Sequence, residues 1–110
     1  MVTLEVQPLP DLPNEAAAAF HREFLPRANA LLAGETNCLT LLFSAADHTH
    51  RTWRLAVVQG LAREHAPTRV NALAGGDTAT VAAALAYLAS ADGVTGQCIP
   101  LADLGAGPVV

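Results

Sequence analysis

Residues Cys38–Phe43 read CLTLLF, a six-residue run with one polar side chain and no charge, followed directly by Ser44. So short and so uniformly apolar a run has the profile of a β-strand covered on both faces, and strands of that kind belong to parallel sheets with helices packed above and below. That requirement sets the fold class, because parallel neighbours must be joined by crossover segments long enough to hold a helix.

The flanking text supplies such segments. Residues 2–6 alternate Val2, Leu4 and Val6 with Thr3 and Glu5, the period of a strand with one covered face, and the pattern stops at Pro8, Pro10 and Pro13. Asn14 is a fair N-cap for a helix over residues 15–32, with Gly34 as its stop and Ala17, Phe20, Phe24, Ala28 and Leu31 on one face. Pro26 predicts a kink in that helix, since it removes one backbone donor. A polar loop, Asp47-His48-Thr49-His50, leads into a second helix over residues 51–65, where Leu55, Val58 and Ala62 recur at spacings of three and four. Residues 69–73 form the next strand, Gly75-Gly76 turns the chain, and Asp77 or Thr78 caps an alanine-rich helix over residues 80–89. A last strand covers residues 97–101. The expected fold is α/β, one domain over residues 1–110, with a parallel sheet of about four strands, three helices and right-handed crossovers.

Composition narrows the function classes. The formal charge is −4 and the six basic residues, all arginine, are scattered along the chain, so no nucleic-acid stripe is expected. No apolar run approaches the ~20 residues of a membrane-spanning helix, and the N-terminus lacks the pattern of a secretion signal, which together lead us to expect a cytoplasmic protein. Hydrophobic residues make up 52% against 15% charged, an apolar surplus that predicts an oligomer. Cys38 and Cys98 are expected as reduced thiols on strands. Asp47, His48 and His50 form a D-H-x-H cluster, a weak metal candidate without a second ligand pair at metal spacing, so no metal is expected. Ser44 with His48 and Asp47 lacks the G-x-S-x-G turn of a hydrolase.

Three stretches, AREHAPTRVNALAGG, VAAALAYLAS and VTGQCIPLADLG, together resemble the last third of the 3-oxoacyl-carrier-protein reductase branch of the short-chain dehydrogenase/reductase family. The resemblance implies the second half of a Rossmann fold, a half-Rossmann sheet read here as truncated, because no G-x-x-x-G-x-G or G-x-G-x-x-G turn occurs in the 110 residues. Another strand is then expected between those of Cys38 and Cys98, beyond disulfide reach.

Ser44 matches the family's serine. Asp47 and Arg51 stand where the tyrosine and lysine of its Tyr-x-x-x-Lys pair belong, with a shortened loop before them. Asn71 and Gly75 match family positions near the cofactor. The departures matter for mechanism: the chain has no lysine, its one tyrosine, Tyr87, lies in the late helix, arginine does not relay protons and aspartate is no substitute for a phenol. The substrate-covering loop is absent after Gly75.

The resemblance therefore implies a non-catalytic, dehydrogenase-derived scaffold or interaction subunit without a cofactor. Its expected partner is itself, as a homodimer, or a full-length reductase. The two helices over residues 15–32 and 51–65 would form the contact, with Phe20, Phe24 and Trp53 as anchors. The alternatives are an NAD(P)-dependent oxidoreductase with an altered or partner-completed site, and a small-molecule binder at the carboxyl ends of the strands.

Overall fold

Strands β1 (Val2–Glu5), β2 (Cys38–Phe43), β3 (Arg69–Gly75) and β4 (Cys98–Leu101) lie side by side in that order, all parallel, in the computed structural model, which describes residues 1–101. The α/β class and the four-stranded parallel sheet are as the sequence predicts. β2 and β3 form its centre, in register from Cys38 opposite Arg69 to Phe43 opposite Ala74. β3 separates the strands of Cys38 and Cys98, and both thiols are free. The last residues of the family-like text, 102–105, lie outside the described residues.

Four helices join the strands, not three. The expected helix over residues 15–32 is two, α1 (Pro13–Glu23) and α2 (Leu25–Leu32), with Phe24 between them. Pro26 is the physical reason: its ring crowds the carbonyl four residues back and it brings no N–H, so it is accommodated only in the first turn of a new helix. The same preference moves the start of α1 to Pro13, after Leu12, where no side chain caps it; Asn14 is inside the helix. α3 (Arg51–Glu64) and α4 (Thr78–Ser90) follow the predicted spans closely, and the Asp77 carboxylate caps α4 by accepting the Thr80 N–H at 2.8 Å.

One face of the sheet holds the core. Leu39, Leu41 and Phe43 of β2 and Val70 and Ala72 of β3 meet Phe20, Phe24, Ala28 and Leu32 from the α1–α2 pair and Val57, Val58, Leu61 and Ala62 from α3. Phe20 is fully buried, its ring centroid 5.7 Å from those of Phe43 and Trp53 and 6.1 Å from that of Phe24. Phe20 and Phe24, expected as interface anchors, are thus interior, because the break at Phe24 leaves both rings facing the sheet. Trp53 is half-buried against the same cluster.

The second face carries Thr40 and Leu42 beside Asn71 and Leu73, and α4 covers only part of it. Gly75 and Gly76, both with positive φ (78° and 85°), take the chain from β3 over the sheet's end. Arg69, whose side chain alternates away from the core face, then holds the far end of α4 through the Leu88 and Ala91 carbonyls at 2.7 and 2.8 Å. Each connection advances one strand in the same direction, yet α1–α3 lie on one face and α4 on the other. The last crossover is therefore opposite in hand to the first two, which corrects the expectation of a uniform hand. Leu42, Leu73, Val81 and Leu85 line an open groove of about 470 Å³ beside α4, and Thr3 and Glu5 of the edge strand are exposed.

Gly60 lies inside α3, and a Cβ there would meet nothing within 4 Å. Gly60→Ala is expected to stabilise the fold by about 0.5–1 kcal/mol, read as a higher denaturant midpoint at unchanged slope.

Candidate functional site

The carboxyl ends of β2, β3 and β4 meet the start of α3, and the residues singled out in the sequence converge there in part. After β2 the chain runs through Ser44 to Asp47, whose carboxylate accepts the Thr49 N–H at 2.9 Å and the Thr49 hydroxyl. This caps a single 3-10 turn, His48–His50, that feeds directly into α3. The Thr49 bonds, side chain first and backbone second, hold the exposed Asp47 carboxyl below the usual carboxylate range. A depressed value means that the cap's contribution is present above the ordinary carboxylate pKa and lost as pH falls through the lowered one. Amide exchange at Thr49 is expected to accelerate below that range relative to amides inside α3, which hydrogen-exchange NMR will resolve.

His50 is buried, with both ring nitrogens engaged. Its Nε2 lies 2.9 Å from the Asp11 carbonyl, and its Nδ1 accepts from the Trp53 indole at 3.0 Å. A carbonyl only accepts and an indole N–H only donates, so the ring is a neutral imidazole protonated at Nε2. The D-H-x-H cluster consequently offers no bare nitrogen from His50, and among the described residues no three His, Cys, Asp or Glu side chains gather to hold a metal ion.

Asn71 and Gly75 stand apart from this cluster. The buried Asn71 amide donates to the Val94 carbonyl at 3.0 Å and accepts the Gln97 N–H at 3.1 Å, which clamps the turn leading into β4. At Gly75 the backbone is left-handed, and a Cβ would sit 3.2 Å from the Ala45 Cβ. Glycine is required there by conformation and by close approach.

The residue that sequence reasoning missed is Arg54. It is only 6% exposed, its Nη1 donates to the Ser44 carbonyl at 3.0 Å, and its guanidinium carbon stands 4.4 Å from the Phe43 ring centroid. Its Nε is buried without a hydrogen-bond partner, and no carboxylate pairs with it among the described residues. Burial lowers its pKa from the ordinary arginine value, and burial likewise pushes the Cys98 thiol up, with the Arg54 charge pulling it back. A signal for Arg54 was legible: it precedes Val58 and Leu61 by four and seven residues, so it belongs to the apolar stripe of α3.

Two adjoining clefts flank Arg54. One, of about 230 Å³, is walled by Ser44, Asp47, His50 and the 9–11 segment; the other, of about 280 Å³, by His48, Arg51, Leu55, Ala74, Cys98 and Pro100. Ser44, Asp47, His48, His50 and Arg51 are thus brought together, but around a buried arginine rather than a tyrosine and lysine. Over residues 4–101 the chain matches a family model described as short chain dehydrogenase-like protein. No curated protein and no solved structure matches it.

Proposed function

The chain belongs to the short-chain dehydrogenase-like family, and from that premise we propose that it is a dehydrogenase-derived subunit that works by association and carries no hydride chemistry of its own. The observation that carries this reading is Asp47. At the position matching the family's tyrosine stands an ionised carboxylate committed to capping the 48–50 turn, an acceptor where the family reaction needs a proton donor.

The family-matching residues do not fit a nicotinamide dinucleotide. The Asp47 carboxylate is committed to Thr49 and lacks a phenol's proton, and the Asn71 amide is committed to Val94 and Gln97. No step is therefore assigned through such a group.

Association is favoured by the outward side of α3. Thr52, Ala56 and Gln59 are exposed and Gly60 has open space above it, a surface flat enough for a helix to approach its own copy across a two-fold axis. A standard interface of ~800 Å² per partner would extend this contact onto α1. Docking on a full-length reductase would use the same surface.

Size exclusion with light scattering tests the reading: a dimer is expected for the native chain and a folded monomer for Ala56→Glu. A native chain that stays monomeric at micromolar concentration would refute self-association. NADPH-dependent turnover of a carbonyl substrate that disappears in Ser44→Ala would refute the absence of hydride chemistry.

A further inference from the structure

We propose that the paired clefts around Arg54 form a receptor for a small monoanionic carboxylate carrying a short apolar chain, a ligand class that the association reading neither requires nor supplies. An arginine that is only 6% exposed is costly to keep without a counter-charge, yet among the described residues Arg54 has only the Ser44 carbonyl and two aromatic faces for company. Its Nη1 is engaged, whereas neither Nε nor Nη2 has an acceptor among the described residues. Nε is closed off inside the protein, so the Nη2 N–H groups are the unengaged donors left to face the clefts, where a carboxylate oxygen can accept them.

Arg54 is also common to both clefts. An anion held by it therefore has a polar lobe on the Ser44 side and an apolar lobe on the side of Leu55, Ala74 and Pro100.

Charge and size select the ligand. Arg54 is the one buried charge lining the two clefts, since Arg51, Asp11 and Asp47 are exposed at their rims and His50 is neutral by its two hydrogen bonds. One buried positive charge suits a monoanion better than a phosphate dianion. Volumes of about 280 and 230 Å³ fall at or below the small end of the ~300–1,000 Å³ usual for ligand pockets.

Trp53, the single tryptophan, has its ring centroid 5.8 Å from the Arg54 guanidinium carbon, which makes its fluorescence the readout. Butyrate, its neutral isostere butyramide and inorganic phosphate are titrated into the full chain at constant ionic strength. Butyrate is expected to produce a saturable change at millimolar concentration, with butyramide and phosphate binding at least about tenfold more weakly, the factor expected for loss of a charged hydrogen bond.

Arg54→Lys keeps the charge and loses the Nη2 donors, and is expected to weaken butyrate by about tenfold or more. Because a change at a buried arginine can disturb folding, Ala46→Phe serves as the second variant. It alters an exposed residue shared by both clefts, leaves Arg54 intact, and is expected to block butyrate without lowering the melting temperature. Equal binding of acid and amide, preference for phosphate, or butyrate binding unaffected by both variants would each overturn the proposal.

Discussion

Phe20→Ala is expected to destabilise the protein by about 3–5 kcal/mol, the range for removing a fully buried aromatic ring from a packed core. Phe20 is 0% exposed, and its ring touches the rings of Phe24, Phe43 and Trp53, contributed by the 24 position, β2 and α3 respectively. The loss therefore loosens three elements at one point. Against a typical total of ~5–15 kcal/mol, it leaves a marginal fold. Urea unfolding followed by Trp53 fluorescence measures it, and Phe20→Leu, which keeps most of the volume, should lose less than half as much. A Phe20→Ala chain that melts like the native one but dissociates would mean that Phe20 sits between protomers instead of within the core.

Arg69→Met should cost about 2–4 kcal/mol, although methionine fills much of the same space. The guanidinium, 8% exposed, donates to the carbonyls of Leu88 and Ala91 at 2.7 and 2.8 Å and reaches that of Ala89 at 3.5 Å. These are carbonyls at the end of α4, where the regular helix ladder runs out. Their charged donor also lies at the negative end of the helix dipole. Replacing it removes the charged hydrogen bonds, each worth roughly 1.5–3 kcal/mol, and leaves the Leu88 and Ala91 carbonyls with only the Ala91 and Val94 N–H groups at 3.3 and 3.0 Å. Asp92, at 4.0 Å and almost wholly exposed, adds little by comparison. The expected signature is local: amides of α4 should lose exchange protection first, while β2 and α3 keep theirs until global unfolding. Uniform loss of protection would show that α4 and the core melt as one unit.

Both side chains illustrate where sequence reading stopped. Phe20 was legible as an apolar position of a helix, because residues three and four apart share a face and the pattern can be read from the chain itself. Which surface that face meets was not legible. Arg69 read as the first residue of a strand, and nothing adjacent to it in sequence announced that its guanidinium reaches carbonyls about twenty positions on.

Likewise the serine, aspartate and arginine positions carried over from the family resemblance do meet at one end of the sheet. The group that organises that end is Arg54, which lies outside the resembling positions. The rings of Phe43 and Trp53 and the Ser44 carbonyl, from β2, α3 and the loop after β2, make it interior despite its charge.

What the sequence determined by itself is the class and order of the elements. The fully apolar CLTLLF run, the alternation over residues 2–6, the prolines that end or restart helices and the Asp77 cap all act within a few residues, where backbone sterics and local hydrogen bonds decide. The tertiary structure alone decided that α4 crosses to the face opposite α1–α3, that Asn71 braces the turn into β4, and that His50 is locked between Asp11 and Trp53. Each of those outcomes joins groups from different elements. Their free energies depend on burial and on which polar partners remain once the sheet has formed, quantities with no period along the chain.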